Sequence, residues 1–156
     1  MGAETLFSVC GKVVLPGWVL LIVAPRWKWT VRLIASVVLP GLMGVVYVYL
    51  IAANIGKAEG SFNSLAGVAS LFKTPELLLA GWVHYLAFDL FVGCWEVRDA
   101  HRVGVRHWFV IPCLILTLML GPAGLLSYFV VRWASTGQVL VGTDAVAETR
   151  SAAPPR

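Results

Sequence analysis

Charge is scarce in this sequence. Only 13% of its 156 residues are Asp, Glu, Lys or Arg, whereas 59% are hydrophobic, and a soluble domain carries roughly a quarter charged residues. A chain with a mean hydropathy of +0.83 lacks the polar surface to cover itself in water. Cysteine is sparse as well. Cys10, Cys94 and Cys113 lie in or beside apolar runs with no CxxC or metal-ligand spacing, so they read as small packing residues rather than redox centres or metal ligands. No Walker A, HExxH, GxSxG or GxGxxG motif occurs, and neither a cofactor nor a metal is expected. A cleavable leader is not expected either, because Thr5 to Pro25 is long for a signal core and no A-x-A-like site follows it.

Long apolar runs take the place of what is missing. Four of them, at about 5–25, 33–53, 77–95 and 107–131, each approach the twenty or so residues that a helix needs to cross a bilayer. They are continuous rather than alternating, which excludes barrel strands. Between the second and third, Phe62, Leu65, Val68, Leu71 and Phe72 recur at helical steps, the pattern of a short amphipathic helix lying at the membrane surface. The expected fold is therefore all-α: a four-helix transmembrane domain over residues 1–133 with an interfacial helix, then a disordered tail over 134–156. Val13-Val14-Leu15-Pro16-Gly17 repeats as Val37-Val38-Leu39-Pro40-Gly41, a weak sign that the first two spans share a proline kink.

The basic balance, with a pI of about 9.2, does not point to nucleic acid. Arg26, Lys28 and Arg32 fall in the first connection and Arg98, Arg102 and Arg106 in the third, while Lys57, Lys73 and Arg132 lie toward the opposite face. That asymmetry orients helices in membranes. It places the first and third connections in the cytoplasm and both termini outside. Trp27, Trp29, Trp95, Trp108 and Trp133 fall near span ends, as an interfacial belt does.

Chemistry is concentrated in the third span. Asp89 lies deep within it, and an acid at that depth usually faces the bundle interior and has a role. Trp82, Tyr85, Asp89 and Glu96 share one helical stripe, while His84, Phe88, Phe91 and Trp95 share another. Asp89, His84 and Tyr85 are the candidate acid–base groups; the competing reading is that Asp89 only hydrogen-bonds a neighbouring helix. Trp18, Tyr47, Trp82 and Phe88 are candidates for lining an apolar ligand slot. Lys12 is the other charge within a span, and snorkelling to the interface accounts for it.

Several segments carry a family resemblance. They are Leu15-Pro16-Gly17-Trp18 through Pro25, Gly44 through Leu50, and Phe62-x-x-Leu65-x-Gly67-Val68-x-x-Leu71-Phe72. With them go Trp82-x-His84-x-x-x-x-Asp89-Leu90-Phe91 with Asp99, and Pro112-Cys113-Leu114 through Gly121-Pro122-Ala123-Gly124. Together they resemble the neoxanthin-synthase-like family, of the abscisic-acid-deficient type, over residues 5 to 133. The resemblance implies an integral membrane protein acting on a carotenoid by isomerisation: an epoxide opens and an allene forms, so that an acid protonates oxygen and a base removes a vinylic proton. His84 and Asp89 occupy the matching positions and are the candidates for these roles, with Tyr85 as helper. Lys12 and the Ala- and Pro-rich tail depart from the family pattern, as does the lack of a transit peptide; the chain looks like a bacterial relative, for which a bacterial inner membrane is the expected location. Membrane lipid and a carotenoid or other isoprenoid are the expected partners. The rivals are a non-catalytic lipid- or pigment-binding protein and a small transporter or proton relay.

Overall fold

The structure, a computed structural model, describes residues 2–27 and 37–137. The expected tail beyond 137 and the segment 28–36, with Lys28, Trp29, Arg32 and the start of the second expected span, lie outside the described residues. Those described form six helices in the order α1 (Ala3–Val23), α2 (Leu39–Asn54), α3 (Leu65–Leu71), α4 (Pro75–Val103), α5 (His107–Leu120) and α6 (Pro122–Thr136). The all-α expectation therefore stands, but the four full-length spans do not. Among the described residues, only α1 and α4 are long and apolar enough to cross a membrane.

Helix α4 is the axis of the molecule, and α1, α2, α5 and α6 all pack on it. Its start is marked by Pro75 in the first turn with Glu76 beside it, and its end by His101 and Arg102 ahead of Gly104 in the left-handed conformation (φ +79°). These are the residues that match the helix dipole and its C-terminal cap. The apolar count ends near Trp95, yet the helix continues to Val103. Glu96 and Asp99 can remain in it because their side chains find partners on α5 and α6.

Helix directions follow from cross-contacts. Phe7 packs on Trp82 with ring centroids 5.5 Å apart, and His107 Nε2 lies 2.9 Å from the Ile22 carbonyl oxygen. Helix α1 thus runs parallel to α4, its end meeting the start of α5. Helix α2 runs antiparallel: its first residue, Leu39, reaches the Gly17–Leu90 contact, and Tyr47 further on faces His84. The proline repeat does not give two matching kinks, since Pro16 lies inside α1 whereas Pro40 sits in the first turn of α2. The short α3 forms where the amphipathic pattern predicts, capped by Ser64 Oγ, which accepts from the Gly67 amide at 3.0 Å.

The main correction concerns residues 107–131. They do not form one helix. The chain breaks at Gly121 (φ +43°, ψ −96°), a conformation that glycine tolerates, and α6 folds back along α5. Gly124 lies against the Thr117 backbone and side chain, whereas seven residues of straight helix would separate them by about 10 Å. Continuous hydropathy conceals this reversal, because both arms bury apolar faces against α4. Tyr128 and Arg132 consequently return to Asp99, near the end of α4. Two expectations change as a result. Arg132 joins Arg98, Arg102 and Arg106 at one end of the bundle instead of the opposite face, and the described chain begins and finishes at opposite ends rather than on one side.

Candidate functional site

The residues singled out in the sequence do not form one pocket. Helix α4 distributes them over different faces. His84 projects outward against α2, stacked on Phe88 at a centroid distance of 4.5 Å and facing Tyr47 at 5.7 Å. This group lines a groove of about 330 Å³ with Pro40, Gly44, Ala87 and Phe91. A second groove of about 200 Å³ continues from the same Tyr47 and His84 past Ile51 and Gly81 to Phe62 and Phe72, beside α3. The two form an elongated, aromatic-lined trough along the α2–α4 seam, with the His84 imidazole at its centre. Its width depends on small residues, since Gly44 and Ala87 leave room that larger side chains would fill.

Trp82 lies elsewhere, stacked on Tyr85 at 5.4 Å and lining a separate groove of about 390 Å³ with Ala3, Glu4 and Phe7. Trp18 lines neither groove. It is buried, with its ring against Gly93, where Leu114 also packs, and acts as packing between α1, α4 and α5. Lys12 is exposed on α1, and the three cysteines are free and buried.

Asp89 lies about 140° around α4 from His84, at the midpoint of the helix and against the tip of the α5–α6 hairpin, while the imidazole remains close enough to act electrostatically on its carboxyl. A Cβ built on Gly121 would lie 2.9 Å from Asp89 Oδ1, so a glycine lets the hairpin tip approach the carboxyl. Tyr85 donates to the Leu118 carbonyl at 3.2 Å, one turn from Asp89 on the same face of α4. Tyr85 and Asp89 thus both face the hairpin, whereas His84 lines the trough.

The same interior face holds groups that were not put forward as site residues. Thr117 Oγ1 donates to Glu96 Oε1 at 2.8 Å. Asp99 accepts from Tyr128 at 2.7 Å, from Arg132 Nε at 2.8 Å and from Arg102 at 2.7 Å. Glu96, Asp99 and Arg132 are all buried. Glu96 shares the stripe of Tyr85 and Asp89, which was the available signal; Arg132 gave none while residues 107–131 read as one span. Among the described residues no group of three or more His, Cys, Asp or Glu side chains is placed to hold a metal.

Comparison with known proteins sets these features in context. The ABA DEFICIENT 4-like (ABA4-like) family model matches residues 5–128. The chain is 29% identical over 140 residues to Protein ABA DEFICIENT 4, chloroplastic, of Arabidopsis thaliana, an alignment covering 83% of this chain and 61% of that protein. It thus spans about three-fifths of that relative's length. No solved structure matches it. A plant relative named as chloroplastic lends no support to the expected bacterial inner membrane.

Proposed function

The chain belongs to the ABA DEFICIENT 4-like family, and on that premise we propose that it is an integral membrane protein that holds an elongated isoprenoid, of the carotenoid type, in the α2–α4 trough. The observation that carries this reading is the meeting of two apolar grooves at Tyr47 and His84. A rod-shaped hydrocarbon needs a long apolar surface with few polar groups, and the trough offers one imidazole and one phenol along its length.

In this reading α1 and α4 cross the bilayer, the chain returns between them along the antiparallel α2, and the α5–α6 hairpin enters from the basic end and returns to it. At 14 residues, α5 reaches about 21 Å, short of a hydrocarbon core of about 30 Å. Non-helical backbone is tolerated at that depth only where protein surrounds it. Gly121 meets the condition: it is buried, its amide donates to the Thr117 carbonyl, and its carbonyl accepts from Gly124 and Leu125. Arg26, Arg98, Arg102, Arg106 and Arg132 cluster at the basic end, which faces the compartment where the protein is made.

His84 is the group that meets the ligand. If the chain isomerises a xanthophyll epoxide, as the family resemblance implies, the imidazole removes the vinylic proton and the neighbouring Tyr47 phenol protonates the opening oxygen, with no net gain or loss of atoms. Asp89, on another face of α4, takes no direct part in this reading. The test is to purify the protein from its native membrane and to examine the extracted lipid by absorbance and mass spectrometry. A co-purifying isoprenoid, lost in Gly44→Trp, is the expected result; a preparation free of isoprenoid overturns the reading. Product formation abolished in His84→Ala with the ligand retained identifies an enzyme, and unchanged turnover in that variant removes His84 from the chemistry.

A further inference from the structure

One side of α4 is covered over only part of its length. Positions 78, 82, 85, 89 and 96 recur at three-, four- and seven-residue steps, so they share a face. The α5–α6 hairpin covers that face from Tyr85 onward. Tyr85 donates to the Leu118 carbonyl, Gly121 at the tip lies against Asp89, and Thr117 bonds Glu96. Asp89 is accordingly 8% exposed and Glu96 0%, whereas Trp82 and Leu78 are 40% and 55% exposed. The face changes from buried to bare within about one turn, where the hairpin ends.

The bare stretch is concave. Helix α1 runs beside it, with Phe7 packed on Trp82 at 5.5 Å, and these two line the 390 Å³ groove with Ala3, Glu4 and Leu78. Its length matches what the hairpin leaves uncovered. Helix α5 falls short of the hydrocarbon thickness by about 9 Å, and the helical rise from Pro75 to Trp82 is about 10 Å. Phe7, Leu78 and Trp82 make the wall apolar, as a hydrocarbon chain requires. Glu4, in the first turn of α1, is the charged residue of the lining and is exposed at the mouth. A helix is about 10–12 Å across, too broad for a groove of this volume, which favours a single hydrocarbon chain over a helix of a second copy.

We propose that the α1–α4 groove holds a phospholipid with a primary-ammonium headgroup, of the phosphatidylethanolamine kind, from the leaflet opposite the basic end. Its acyl chain lies on Phe7, Leu78 and Trp82 and fills the space beyond the hairpin tip. Its ammonium donates charge-assisted hydrogen bonds to the Glu4 carboxylate. A phosphatidylglycerol headgroup has no cation to offer, and its net negative charge is repelled by Glu4. The site rests on the membrane placement proposed above. It shares no lining residue with the α2–α4 trough, so the lipid and the isoprenoid bind independently.

The test uses the purified full chain in phosphatidylcholine vesicles that contain a trace of phosphatidylethanolamine with a photoactivatable diazirine on its acyl chain. After irradiation, adducts are mapped by peptide mass spectrometry. They are expected to concentrate at residues 3–7 and 75–82. Unlabelled phosphatidylethanolamine is expected to displace the probe roughly threefold more effectively than phosphatidylglycerol, the scale of an exposed ion pair. Glu4→Gln should erase that preference, and Ala3→Trp, which fills the groove, should remove the adducts. Adducts spread evenly over exposed residues such as Val45 and Phe109 overturn the proposal, as does equal displacement by the two lipids or an unchanged preference in Glu4→Gln. Disulfide-linked dimers of Phe7→Cys identify a second copy as the occupant and overturn it too. A chain that fails to insert into vesicles removes the membrane placement, whereas an inserted chain without these adducts overturns the lipid site alone.

Discussion

Arg132 Nε donates to Asp99 Oδ2 at 2.8 Å across 33 residues of sequence, with side chains 1% and 3% exposed. This contact fastens the returning arm of the hairpin to α4. Tyr128 and Arg102 bond the same carboxylate, so its oxygens are satisfied on several sides. Taking one partner away strands the others in an apolar interior, which typically costs about 3–5 kcal/mol. Asp99→Asn and Arg132→Met are each expected to lower the thermal midpoint sharply. The double replacement should be less damaging than the sum of the two. Strictly additive losses in a double-mutant cycle would show that the two side chains do not act as a pair.

The hairpin depends on close backbone approach at one residue. A Cβ on Gly124 would collide with the backbone and side chain of Thr117, and backbone cannot yield as a side-chain tip does. Gly124→Ala is therefore expected to separate α5 from α6 and to destabilise by about 1–3 kcal/mol or more. Gly11, inside α1 with nothing within 4 Å of a built Cβ, provides the contrast. Gly11→Ala should be neutral or slightly stabilising, because alanine is the better helix former. Equal thermal midpoints for the two variants would contradict the packing described.

The trough makes a prediction about shape. Gly44 has open space where its Cβ would be and lines the groove with His84 and Phe88. Gly44→Leu should fill that space and displace a bound isoprenoid without unfolding the protein. Tyr49 is 66% exposed and lines neither groove, so Tyr49→Leu should leave retention unchanged. Equal retention in the two variants, measured as extracted isoprenoid per mole of protein, would remove the trough as the binding surface.

Much of the architecture was legible in the sequence, and the gaps have physical causes. Apolar runs located α1 and α4, and the Phe62–Phe72 periodicity located α3, since both depend on local patterning. Hydropathy could not reveal the reversal at Gly121, because an arm buried against protein and an arm crossing lipid are equally apolar. The Gly121-Pro122-Ala123-Gly124 segment held the signal: two glycines flanking a proline, one free to turn and one permitting close approach. The end of α4 was missed for a related reason. Glu96 and Asp99 look like loop residues until Thr117, Tyr128 and Arg132 are brought to them by that same turn. At the candidate site, helical spacing put Tyr85 and Asp89 on the face that meets the hairpin. The separation of His84 from them was already implied by its five-residue offset from Asp89, about 140° around the helix, but only the positions of α2 and the hairpin show that the two faces meet different neighbours.

Topology gives the sharpest discrimination between one continuous final span and a re-entrant hairpin. Gly2 and Ser135 lie near opposite ends of the described chain, and the native cysteines are buried, so a single introduced thiol can be read against a low background. Gly2→Cys has open space around its Cβ, and Ser135 is exposed. In sealed, oriented vesicles a membrane-impermeant maleimide should label Gly2→Cys from one side and Ser135→Cys from the other. It should also label a cysteine at Arg106, exposed in the α4–α5 connection, from the same side as Ser135→Cys. A continuous helix over 107–131 would require the opposite pattern, with positions 106 and 135 on different sides and positions 2 and 135 together. The relative side of positions 106 and 135 depends only on whether the chain reverses at Gly121, so labelling of that pair from different sides would reject the hairpin however the whole protein is oriented.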